Sequence, residues 1–91
     1  MSYRVLLTTQ ARKDAEKLTP KLRTKLQEIL EDVLAVDPRR GNPLVGELKG
    51  YWSYRLTYKD RIVYRIEEKS ETLIVLRCRT HYGTNTDSIL E

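Results

Sequence analysis

The spacing of apolar positions changes period along the chain, and each change marks an element. Tyr3 to Thr8 reads as a short strand. Thr8 or Thr9 then caps a first helix, in which Ala11, Ala15 and Leu18 recur at helical spacing. Thr19-Pro20 opens a second helix, with a threonine cap followed by proline at the first helical position. From there Leu22, Leu26, Ile29, Leu30, Val33 and Leu34 form one apolar stripe. Charged residues (Lys21, Arg23, Lys25, Glu28, Glu31, Asp32) fall between them, the pattern of a surface helix facing a single core. Asp37-Pro38 ends it. The tight turn at Leu18-Thr19 makes the pair an αα-hairpin.

Residues 38–50 hold both remaining prolines and three of the four glycines, so they read as a loop. Strand patterns follow over Tyr51 to Tyr58, Arg61 to Ile66 and Thr72 to His81. Their connections are short, which makes them antiparallel neighbours. Thr84 to Leu90 reads as a turn of helix. The expected fold is α+β: an N-terminal strand, an αα-hairpin and three antiparallel strands. They would form a mainly antiparallel sheet with the helices packed on one face.

Alternation gives each strand two faces. Trp52, Tyr54 and Leu56, then Ile62, Tyr64 and Ile66, then Ile74, Leu76 and Cys78 form an apolar set. The opposite set holds Arg55, Arg61, Arg65, Arg77, Arg79 and His81, with no carboxylate from these strands. A three-residue loop over Tyr58 to Asp60 and a five-residue loop over Glu67 to Glu71 keep the apolar face continuous, and burial of one face fixes register. Water-facing sheet surfaces usually mix charge signs. This one reads as a site for a polyanion, because planar guanidinium groups hold phosphates bidentately.

Composition narrows the chemistry. A length of 91 residues predicts a single domain over residues 1–91. One cysteine, Cys78, and one histidine, His81, exclude a disulfide framework, a cysteine-based metal cluster and a His-rich metal site. The reading therefore requires no metal or cofactor. No apolar run approaches the roughly 20 residues of a membrane span, and no signal-peptide pattern opens the chain. A cytoplasmic protein without a membrane partner is the expectation. The net charge of +4 is mild, so the placement of the arginines carries the argument rather than their number.

RNA can be cut without a metal by a base for the 2′-hydroxyl, an acid for the leaving 5′-oxygen and cations at phosphorus. His81 alone has an ordinary pKa near neutrality. Tyr82 beside it could donate a proton or stack on a base. Cys78 falls on the apolar face and reads as a small core residue.

Lys49-Gly50-Tyr51-Trp52-Ser53, then Arg55, Thr57 and Arg61-Ile62-Val63-Tyr64, and finally Cys78-Arg79-Thr80-His81-Tyr82 run through most of the chain. Together they resemble the RelE superfamily of bacterial toxin–antitoxin toxins, and most closely its YoeB/Txe-like branch. The resemblance implies a RelE-like fold and a ribosome-dependent mRNA endonuclease that cuts by 2′-hydroxyl attack. It implies a cognate antitoxin, expected to be acidic and partly disordered, in a toxin–antitoxin hetero-oligomer. Arg55 and Arg61 would stabilise the scissile phosphate, with His81 in proton transfer and Tyr82 assisting. Lys49, Arg65, Arg77 and Arg79 are the further RNA contacts expected.

Two positions depart from that branch. A glutamate base usually precedes its Pro-Leu pair and a lysine follows it, whereas Pro43-Leu44 here stands between Asn42 and Val45. Glu47 lies nearby without matching the base position. The chain also continues from Gly83 to Glu91, where the branch commonly ends at the His-Tyr pair. A ParE-like inhibitor of DNA gyrase on the same scaffold, and a degenerate toxin that only binds its antitoxin, are the alternatives.

Overall fold

The structure is a computed structural model that describes residues 2–79. Five strands, β1 (Arg4–Leu7), β2 (Asn42–Pro43), β3 (Tyr51–Arg55), β4 (Arg61–Glu67) and β5 (Thr72–Arg77), form one sheet in the order β1-β5-β4-β3-β2. β1 runs parallel to β5, and the other pairings are antiparallel. Helices α1 (Thr9–Glu16) and α2 (Pro20–Glu28) form the hairpin that packs on the sheet. Among the described residues no helix is long and apolar enough to cross a membrane.

Local chemistry sets the helix starts. Thr8 Oγ1 accepts from Ala11 N at 3.1 Å and Thr19 Oγ1 from Leu22 N at 3.2 Å, each satisfying an amide that the first turn leaves unpaired. Beyond Glu28 the α-helix does not simply continue, as the stripe suggested. Ile29–Leu34 is a π-helix, and Ala35 N bonds back to Leu30 O at 2.8 Å. The wider turn brings residues five apart onto one side. The buried pairs Ile29/Leu30 and Leu34/Ala35 have that separation, so all four reach the core.

The core joins Leu18, Leu26, Leu30 and Leu34 of the helical side to Leu56, Ile62, Tyr64, Leu73 and Val75 of the sheet side. In β3 and β4 the faces fall as the sequence predicts. Trp52 pairs with Tyr64 and Tyr54 with Ile62, while Arg55 lies across from Arg61. β3 stops at Arg55 rather than Tyr58, which moves the pairing by two residues and so preserves the faces.

β5 is a correction. Glu67 pairs with Thr72, so the connection is four residues, not five, and turns through Glu71 at φ 50°. That single-residue change swaps faces. Leu73 and Val75 are fully buried in place of Ile74 and Leu76, and Ile74 lies across from Arg65. A bulge between Val63 and Tyr64 then restores the phase, so that Arg77 pairs with Val63 and Cys78 is buried. β5 ends at Arg77, not His81.

The loop after Pro38 also holds a strand that the sequence reading treated as coil. β2 is only Asn42–Pro43, at the sheet edge where proline is tolerated. Tyr64, fully buried, donates its hydroxyl to Pro38 O at 2.6 Å and fastens this loop to the sheet. Gly41 lies against the same hydroxyl and against Ser53 O, leaving no space for a Cβ.

Gly41→Ala should therefore destabilise the protein by roughly 1–3 kcal/mol through overpacking against backbone, measurable by denaturant unfolding. Burial pushes the Tyr64 hydroxyl from 10.0, and the Cys78 thiol from 9.0, up to about 12. The folded chain then keeps protons that the unfolded chain releases. Their contribution is whole below about pH 9 and is lost as pH rises toward 12. Cys78→Ala should flatten the first part of that alkaline decline in unfolding curves taken at stepped pH.

Candidate functional site

The β3–β4 hairpin shapes the site. Leu56 N and Thr57 N both donate to Asp60 O, at 3.0 and 3.1 Å. Thr57 Oγ1 accepts from Asp60 N at 3.0 Å and from Lys59 N at 3.2 Å. This bonded loop fixes the ends of the two strands where Arg55 and Arg61 face each other. Beside them opens a groove of about 790 Å³. Ile29 and Leu56, both buried, supply apolar lining.

Cations reach the groove from four separate elements. Arg55 comes from β3, Arg61 from β4, Lys25 from the last turn of α2, and Arg40 from the 3₁₀ turn Pro38–Arg40. Asn42, Thr57, Tyr54 and Tyr58 complete the lining, and no carboxylate is among the described residues there. Such a site attracts anions along its whole length, and bidentate guanidinium groups suit phosphate in particular.

The arginines predicted to share one face divide in two. Arg55 and Arg61 meet in the groove. Arg65 instead pairs with Glu67 at 2.8 Å, and Arg77 Nε with Asp14 Oδ2 of α1 at 2.8 Å. Neither lines the groove; nor do Lys49, which is exposed, and Arg79, which lies beyond β5. His81 and Tyr82 lie outside the described residues. Val63 and Ser53, on the face of Arg55 and Arg61, are buried, so that face is not uniformly wet.

Asn42, at the position of the branch's glutamate, lines the same groove as Arg55 and Arg61. Its amide cannot serve as a proton acceptor in the way a carboxylate does. Glu47 is exposed in the turn Gly46–Leu48 and does not line the groove, and Val45 is exposed nearby. Cys78 is spent on structure: its N donates to Asp14 Oδ2 and its Sγ to Ala11 O, both at 3.2 Å. Burial pushes its thiol up to about 12, the Asp14 charge adding and Arg77 opposing, so the thiolate nucleophile does not form near neutrality. Among the described residues no group of three or more His, Cys, Asp or Glu could hold a metal ion.

Sequence reasoning missed Lys25, Arg40 and Tyr58. The first two come from outside the strands whose faces were being sorted. Tyr58 stands at the border of a strand pattern and the loop that follows it, a place that gives no sign of a ring 91% exposed and lining the groove.

Comparison with known proteins agrees with this architecture. A family described as "YoeB-like toxin of bacterial type II toxin-antitoxin system" matches residues 9–82. Toxin RelG of Mycobacterium tuberculosis is 40% identical over 79 residues, spanning 85% of this chain and 88% of the relative. The toxin–antitoxin complex RelBE2 of the same organism superposes at TM-score 0.80 with 36% identity, covering 89% of this chain and 92% of that one. A YoeB/ParE toxin from Agrobacterium tumefaciens superposes at 0.77 with 29% identity, covering 87% and 99%.

The Asp14–Arg77 pair joins α1 to the end of β5, with Asp14 almost fully buried. Asp14→Ala should cost about 3 kcal/mol, because it removes a nearly buried carboxylate that accepts from both Arg77 and Cys78 N. Asp14→Asn, which keeps an acceptor, should cost less; equal losses in denaturant unfolding would contradict this account.

Proposed function

The chain belongs to the YoeB-like toxins of bacterial type II toxin–antitoxin systems, and on that premise we propose that it is a metal-independent endoribonuclease cutting mRNA on the translating ribosome. The observation that carries this reading is the Arg55–Arg61 pair, set across β3 and β4 in a groove that no described carboxylate lines. A phosphate seated there would receive two guanidinium groups. As the 2′-hydroxyl attacks, negative charge builds on the phosphoryl oxygens, and fixed cations lower that barrier without reorganising.

The 2′-oxygen forms the new bond to phosphorus and the 5′-oxygen leaves, so one proton must be removed and another supplied. With Asn42 in place of a carboxylate, proton transfer falls to His81, assisted by Tyr82. Lys49, Arg65 and Arg79 would contact RNA further out. Arg77, held by Asp14, would serve the fold first. An acidic, partly disordered antitoxin segment is the fitting partner for the same cationic surface, ordering as it binds.

Arg61→Ala should lower cleavage of ribosome-bound mRNA by about a hundredfold or more, the usual loss when one group stabilising developing charge is removed. His81→Ala should abolish it, and thermal melting of both variants checks that the loss is one of chemistry rather than of folding. Toeprinting on programmed ribosomes reads the cuts directly. Cleavage that survives both substitutions, or gyrase inhibition with mRNA left intact, would refute the assignment.

A further inference from the structure

The arginines elsewhere on this protein show what is unusual about the groove. Arg39 pairs with Glu68, Arg65 with Glu67 and Arg77 with Asp14. Lys25 and Arg40, which line the groove, make no ion pair with any described residue, although Arg40 directly follows one arginine that does. These two cations, from α2 and the 3₁₀ turn, line the same groove as Arg55 and Arg61. Like charges gathered in this way repel one another, and a bound anion relieves that repulsion.

Tyr58 is the second observation, independent of charge. It is the most exposed of the large apolar side chains on the described surface, at 91%, and it lines this same groove. Burial elsewhere explains other tyrosines: Tyr64 is core, and Tyr54 packs partly against it. Nothing in folding requires an aromatic ring to stand in water at position 58. Its backbone is nevertheless held, since Thr57 N donates to Asp60 O and Thr57 Oγ1 accepts from Lys59 N and Asp60 N. A solvent-exposed ring on a bonded loop, beside several cations, matches a stacking platform with phosphate contacts, the combination by which single strands are bound.

We propose that Lys25, Arg40 and Tyr58 form a second nucleotide subsite, which stacks an unpaired base of single-stranded RNA on Tyr58 and holds an adjoining phosphate with the two cations. It rests on the cleavage reading for its place: the nucleotide bound there flanks the phosphate seated on Arg55 and Arg61. Charge alone would equally suit an acidic peptide. The exposed ring favours a nucleobase, because every base offers a flat face and a carboxylate offers none.

The test is fluorescence anisotropy with a short labelled single-stranded RNA carrying 2′-O-methyl groups, which cannot be cut. Wild type should bind it, more weakly as salt rises. Tyr58→Ala should weaken binding by roughly five- to a hundredfold, and Tyr58→Trp should restore it. Lys25→Ala and Arg40→Ala should each reduce the slope of log affinity against log salt by about 0.7. All three positions are exposed, so the variants should melt like wild type. Wild type that fails to bind, a Tyr58→Ala protein that binds normally, or unchanged salt slopes would overturn the subsite. So would variants that keep RNA affinity while losing that for an acidic antitoxin peptide. Cleavage on ribosomes is scored separately. Binding without cutting defeats the endonuclease reading and leaves the subsite standing, whereas cutting with unaltered variant binding does the reverse.

Discussion

A single buried hydroxyl governs the geometry of this protein. Tyr64 sits at the centre of the sheet with no exposure, and a hydroxyl taken out of water must find an acceptor. It finds Pro38 O, and that bond draws the loop after the π-helix down onto β4. Gly41 can follow only because it has no side chain to collide with the ring. The loop then pairs through Asn42–Pro43 with β3, and Arg40 and Asn42 come to line the groove. Without this tether the groove would lose one wall, and Arg55 and Arg61 would stand on an open hairpin.

The cations of the molecule fall into two populations with different work. Arg65 and Arg77 are neutralised by neighbours, the second of them by a nearly buried carboxylate that also receives the Cys78 amide. The Asp14 bonds tie α1 to the end of β5. Arg55, Arg61, Lys25 and Arg40 converge where no described carboxylate follows them. Charge counting over the whole chain, at +4, conceals this partition. Function in a small basic protein depends on where its positive groups converge.

The extent to which the site could be read from the sequence follows from the strength of each local signal. Thr8 and Thr19 marked their helices because a cap is chemistry between residues three apart. The faces of β3 and β4 were legible because apolar and charged residues alternate there. β5 was not, since Leu73-Ile74-Val75-Leu76 is apolar in both phases, and only the turn length and a bulge decide which pair is buried. β2 is too short to show a period. Arg55 with Arg61 was foreseeable from pairing, but Lys25 and Arg40 join them only through the packing of α2 and the tether at Pro38, contacts that no strand pattern encodes.

The parallel ladder between Arg4–Leu7 and Thr72–Val75 has a bearing on how the molecule comes into being. The strand made first by the ribosome takes its place only beside the strand made last of the five, which itself sits between it and β4. Until that late segment emerges, the early helices have only part of a sheet to cover, and their apolar stripe stays unsatisfied. The ladder thus joins segments far apart in the sequence, a topology that folds slowly. The groove is a separate matter: its described lining runs from Lys25 to Arg61, so those walls are synthesised before the strand that completes the sheet.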